Sequence, residues 1–256
     1  MLVSMKSLPL SLVFVLCTVS VQAETARDAW NQLVGKQATT RPMFGFVEND
    51  PALPNVLIYG DSISIGYTSH VRAKLAGKAN VYRLHCNGGD SSTFIAKMIR
   101  MHEVMRDEKL EDPWSFQWDV IHFNVGLHDI KYLAANKLDK VNGKQVSSIE
   151  DYQKNLDEIV SYLKQLAPNA KLIFATTTPV PENEPGRNVG DSEKFNAAAI
   201  EVLGKYPEIK INDLFAVTKP NHEKWWSKPG NVHYNQVGTT AQGDEVVRVI
   251  SDVLAE

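Results

Sequence analysis

Apolar positions along the chain fall into two alternating patterns: short runs of four or five, and longer stretches at helical spacing. Val56-Leu57-Ile58-Tyr59 is a short run rich in apolar and β-branched residues, which predicts a strand buried on both faces. Gly60 permits a tight turn, and Asp61-Ser62 stand where a helix should begin, with helical spacing onward through Val71 and Leu75. Further strands are predicted at 80–84, 119–124, 171–176 and 210–212. Helices are predicted at 25–33, through Phe94, Ile95, Met98, Ile99, Met101 and Met105, and at 152–166, 192–203 and 238–254. The polar stretch 131–148 reads as an insertion, with Asn142-Gly143 as a hairpin turn. Loop residues 179–190 are dense in Pro, Gly and Asn. Strand and helix in alternation predict an α/β domain with a parallel sheet and helices on both faces, at 55–256. Residues 24–54, a helix and an extended segment containing Pro42, Pro51 and Pro54, are expected to pack on it.

Residues 1–23 change the picture of where the chain works. Lys6 is their only charge, Leu8 to Val21 is apolar apart from small polar residues, and Val21-Gln22-Ala23 is a small-x-small cleavage site. This predicts a secretory signal peptide and a secreted or periplasmic protein with no stable membrane anchor. Formal net charge is −3 at pH 7, and setting Lys6 aside makes it one unit more acidic. With no basic run, nucleic acid and anionic membrane surfaces are poor partners. Beyond residue 23 only Cys86 remains of the two cysteines, so no internal disulfide is available.

Each candidate for chemistry lies just after a predicted strand, where open parallel sheets place their ligands. Ser62 sits at a helix N-terminus, where backbone N–H groups and the helix dipole favour developing negative charge. Capping by Asp61 and Ser62 is the structural alternative. Asn87-Gly88-Gly89-Asp90 follows the second strand, and Gly126-Leu127-His128-Asp129 the third. Near the end comes Gly230-Asn231-Val232-His233-Tyr234-Asn235, then Gly238.

GDS, NGG, GLHD and a late histidine, in that order, resemble the blocks of the SGNH (GDSL-like) hydrolases. The resemblance covers most of 55–255 and implies a three-layer α/β/α fold with flavodoxin-like strand order. It implies Ser62 as nucleophile, His233 as general base and Gly89 as an oxyanion donor through its N–H, with Gly88 as a rival. Two positions depart from the family. His128 stands where an asparagine donates to the oxyanion; an imidazole can donate too if the tautomer suits, and a protonated one would bring pH dependence near neutrality. Gly230 stands where an aspartate orients the histidine. That leaves a Ser–His dyad oriented by a backbone carbonyl, a carboxylate recruited from Asp213 or Glu223, or a site without catalysis.

Three further features bear on the substrate. Trp225-Trp226 precede His233 and are candidates for an apolar or sugar-stacking wall. Arg187 in the 179–190 loop is a candidate partner for a substrate carboxylate or sulfate. Cys86 has no base in its sequence surroundings and reads as a core thiol. No metal-ligand or nucleotide motif is present, so no cofactor is expected. The implied activity is hydrolysis of ester bonds, with carbohydrate O-acetyl esters favoured by export, the aromatic loop and the polar insertion. A non-catalytic carbohydrate-binding protein and an acyltransferase are the alternatives.

Overall fold

A computed structural model of the protein describes residues 23–256; the predicted signal peptide lies outside that range except for Ala23. The described residues open with α1 (Ala26–Val34), capped by Thr25, and a short α2 (Gln37–Thr40). Buried Trp30 donates its indole N–H to the carbonyl of Phe44 at 2.7 Å, which fastens this segment. The strand-helix alternation follows as β1 (Asn55–Tyr59), α3 (Ser62–Lys74), β2 (Asn80–Arg83), α4 (Phe94–Met105) and β3 (Val120–Phe123). A small sheet comes next, made of β4 (Tyr132–Ala134), β5 (Lys137–Leu138) and β6 (Lys144–Gln145). The chain then runs through α5 (Ile149–Leu166), β7 (Lys171–Ala175), α6 (Asp191–Leu203), β8 (Lys210–Asn212), α7 (Leu214–Thr218), α8 (His222–Trp225) and α9 (Gln236–Ala255).

The main sheet is parallel throughout, in the order β2-β1-β3-β7-β8. This is the flavodoxin-like order. Every residue of β1 and of β3 is buried, as a strand covered on both faces requires. Right-handed crossovers put α3 on one face and the helices of the opposite run on the other. Accordingly α3 packs against α9, while α4, α5 and α6 pack together on the far side. The direction of winding reverses between β1 and β3, so their carboxyl ends open a crevice at the switch point. Ser62 leaves β1 there, and the turn with His128 leaves β3.

Element ends differ little from expectation. The predicted strands overrun by a residue because the ladder continues: the Leu84 N–H donates to the Ile58 carbonyl, and the Asn124 N–H to that of Tyr59. Helix α5 starts earlier than predicted because Ser148 caps it, accepting from the Asp151 N–H, with Glu150 and Asp151 in its first turn. The hairpin turn is a correction. It lies at Ala135-Asn136, both at positive φ (46° and 62°), between β4 and β5. Asn142-Gly143 instead joins β5 to β6, which flank β4 and do not pair with each other. There the Asp139 carboxylate accepts from the N–H groups of Val141 and Asn142, and a Cβ on Gly143 would collide with the Asp139 and Leu133 backbone.

Candidate active site

The turn after β1 frees Ser62 for chemistry. Asp61 caps α3, its Oδ1 accepting from the Ile63 N–H at 2.8 Å. Gly60 has no room for a side chain, since a Cβ would lie 2.9 Å from Ser64 Oγ. Ser62 therefore caps nothing, and its Oγ lies 2.9 Å from Nε2 of His233.

His233 is held by its own loop. Its ring Nδ1 lies 2.7 Å from Oδ1 of Asn231, and its backbone N–H donates to the same oxygen at 2.8 Å. Two donors on one atom fix which end of the amide faces the ring, so Nδ1 carries the proton and Nε2 is left to accept from Ser62. The loop is pinned by an antiparallel bridge between Trp226 and Tyr234 and by the Ser227 N–H on the His233 carbonyl. The orienting group is thus none of those expected. Asp213 caps α7 and accepts from Thr176 Oγ1, while Glu223 lies in α8 with no hydrogen bond to His233. Gly230 adopts φ +69°, where a Cβ would also meet the Asn183 carbonyl oxygen at 2.9 Å. Burial pushes the His233 pKa below its ordinary value; Arg187 and Lys131 lower it further, and Asp61 opposes them. The ring is neutral at neutral pH, as a base must be.

His128 faces the same cleft as Ser62 and His233. Its Nδ1 lies 2.8 Å from the Lys131 ammonium. Desolvation, then Lys131 and Arg187, push its pKa down to about 3, so the pH dependence near neutrality expected of a protonated His128 does not arise. The two glycine candidates are engaged within the protein. The Gly88 N–H donates to the Gly60 carbonyl at 3.0 Å, and the Gly89 N–H to Asn87 Oδ1 at 2.9 Å. Asn87, not either glycine, lines the cleft.

The cleft holds about 690 Å³, with Lys131, Lys228, Asn183 and Asn231 among its walls beside the apolar Pro185, Val232 and, from the insertion, Leu138. Arg187 also lines it but is no exposed loop residue: it is 4% exposed and pairs with Glu184 at 2.6 Å, while its Nε–H donates to the Leu127 carbonyl. Trp225 and Trp226 do not line it. Trp225 packs beside Gly238 at the start of α9, and Trp226 lies against His222, so their bulk supports the histidine loop from behind. Cys86 is half-buried with its thiol pushed up by desolvation, opposite to an activated nucleophile.

Four residues escape sequence reasoning. Asn231 is two places before His233, a spacing no family block marks. Lys131 and Glu184 sit in stretches whose polarity reads as solvent exposure. Asp129 is buried and accepts from Ser91 N–H, Ser91 Oγ and Ser147 Oγ, tying the loop after β2 to the insertion. Desolvation raises its pKa to about 6.

The model of the GDSL-like lipase/acylhydrolase family matches residues 58–241, a span that includes both Ser62 and His233. No curated protein matches the sequence. Among solved structures, a lipase/acylhydrolase from Enterococcus faecalis is similar with a TM-score of 0.57 at 18% identity, over 78% of this chain and 96% of that one. An acetylxylan esterase from Geobacillus stearothermophilus aligns with a TM-score of 0.56 at 15% identity, over 77% and 94%. The catalytic domain of a peptidoglycan O-acetyltransferase from Streptococcus pneumoniae aligns with a TM-score of 0.53 at 18% identity, over 79% and 96%. These identities show a shared fold. With a family match across most of the chain, the protein belongs to the GDSL-like lipase/acylhydrolase family and is a hydrolase of the SGNH type.

Proposed function

We propose that this protein is an exported serine esterase that removes O-acyl groups, acetyl above all, from a carbohydrate. The observation that carries the mechanism is the relay Ser62 Oγ, His233 Nε2, His233 Nδ1, Asn231 Oδ1, with steps of 2.9 and 2.7 Å between residues. His233 Nε2 takes the Ser62 proton as Oγ bonds to the ester carbonyl carbon. The tetrahedral oxyanion accepts from the Ser62 N–H at the start of α3 and from His128 Nε2–H. Gly89 joins them only when its N–H leaves Asn87. Collapse breaks the bond to the alcohol oxygen, which receives the proton from His233. Water then loses a proton to His233, attacks the acyl-enzyme and releases the carboxylic acid and free Ser62.

The acetylxylan esterase among the similar folds and the signal-peptide pattern of residues 1–23 support the carbohydrate reading. Acyl transfer to a second alcohol uses the same acyl-enzyme, and the similar fold of an O-acetyltransferase favours testing it. Acetate release from acetylated xylan and other acetylated glycans, measured beside short- and long-chain p-nitrophenyl esters, decides the class. Preference for the glycans or the short esters is expected. Preference for long acyl chains would place the activity with lipids instead.

A further inference from the structure

The residue that follows the third block by two places has no assigned role, yet it makes the closest polar contact of the site's least expected histidine. Lys131 and His128 share the turn after β3, which is closed by the Ile130 N–H on the Gly126 carbonyl and the Lys131 N–H on that of His128. Within it the Lys131 Nζ stands 2.8 Å from His128 Nδ1, its only side-chain hydrogen bond among the described residues. The Lys131 backbone is fixed separately, its carbonyl accepting from the Val146 N–H. The side chain is therefore not needed to hold the turn to the insertion.

An ammonium has three donors and no lone pair, so the nitrogen facing it must bring one. A neutral imidazole can do so only by carrying its proton on the other nitrogen. Among the described residues His128 bonds through Nδ1 alone, which leaves Nε2 for the cleft that holds Ser62. Charged groups around the ring come from three elements. Lys131 lies in its own turn, Arg187 in the loop after β7, and Asp90 with Lys97 beyond β2. Of the cations, Arg187 is paired with Glu184, and Lys97 donates to the Gly88 carbonyl and Thr93 Oγ1. Lys131 alone is directed at the imidazole.

We propose that Lys131 is a positioning residue that fixes His128 as the Nε2–H tautomer and polarises that N–H toward the oxyanion. The proposal rests on the reading of His128 as an oxyanion donor. Hydrogen bonds in series strengthen one another, so a ring that accepts from an ammonium donates more strongly from its far side. The arrangement replaces a side-chain amide, whose N–H needs no tautomer, with a donor that needs a second residue to set it.

Nitrogen-detected NMR of the ¹⁵N-histidine-labelled protein should show His128 protonated at Nε2, with Nδ1 bare. Lys131→Met should lower kcat about tenfold, with KM within roughly twofold, and leave the ring in mixed tautomers. Lys131→Arg, also an obligate donor, should keep the tautomer and most of kcat. Because asparagine brings its own N–H, Lys131→Met should cost nothing further in a His128→Asn background. An Nδ1–H tautomer in the native protein, or an equal loss in both backgrounds, overturns the proposal. So does full kcat in Lys131→Met where His128→Ala loses it. Full kcat in His128→Ala instead overturns the oxyanion role from which the proposal starts.

Discussion

Asn231 Oδ1 accepts from both the ring and the backbone of His233, at 2.7 and 2.8 Å, and so fills the place that an aspartate holds elsewhere in the family. Asparagine in place of the triad aspartate costs about 10⁴ in kcat in the chymotrypsin-type site because it selects the wrong tautomer. Here the second donor turns the amide oxygen to the ring, and the correct tautomer is kept. What the amide lacks is charge to stabilise the imidazolium. Asn231→Asp should therefore raise kcat/KM by up to about tenfold and shift its acid limb upward, and Asn231→Ala should lower it about 10²-fold. Steady-state kinetics across pH check both. Unchanged rates in Asn231→Ala would remove Asn231 from the relay.

Gly230 is a poor site for restoring the family's aspartate. At its φ of +69°, and with the Asn183 carbonyl oxygen only 2.9 Å from where a Cβ would stand, any side chain is a source of strain, costing about 1–3 kcal/mol. Gly230→Ala and Gly230→Asp should both lower the melting temperature and kcat/KM, by similar factors. A gain in Gly230→Asp alone would show that the loop relaxes to accept a carboxylate at this position.

Of the two histidines of the site, His233 should set the acid limb of kcat/KM. Its pKa is depressed, and the base acts only when neutral, so activity present at neutral pH is lost on acidification below the ordinary histidine value of about 6.5. Burial, Lys131 and Arg187 push the His128 pKa down to about 3, so it adds no step near neutrality. A limb with two protons, one of them abolished by His128→Asn, would contradict this assignment.

Strand-helix alternation makes the sheet legible in the sequence, because β1 and β3 are buried on both faces and carry little polar interruption. Ser62 is legible by its place at a strand end and His233 by block order. The orienting group is not, since the family pattern points to a carboxylate, while the loop at Gly230 forbids one there and offers an amide one residue later. Nor is the supporting role of Trp225 and Trp226 visible: aromatic residues next to a histidine look alike whether they face the cleft or back the loop. Arg187 departs from expectation because Pro- and Gly-rich loops are usually exposed, whereas this one folds inward on the Glu184 pair.

The Glu184–Arg187 pair should be structural as well as local to the site. Both side chains are under 5% exposed, and Arg187 also holds the Leu127 carbonyl beside His128. Glu184→Gln leaves a buried guanidinium without its counter-charge, at a cost of about 3–5 kcal/mol. For a domain of this size that lowers the melting temperature by roughly 2–4 °C per kcal/mol. A calorimetric shift of less than a degree or two would mean that the guanidinium is solvated through the cleft.

Organophosphonate labelling followed by peptide mass spectrometry tests the central claim, an activated Ser62, most directly. The relay predicts one covalent adduct on Ser62, with labelling and ester hydrolysis both abolished in Ser62→Ala while circular dichroism is unchanged. Cys86→Ser should retain both. Hydrolysis that persists in Ser62→Ala, or an adduct that forms on Cys86 in its place, would contradict the account.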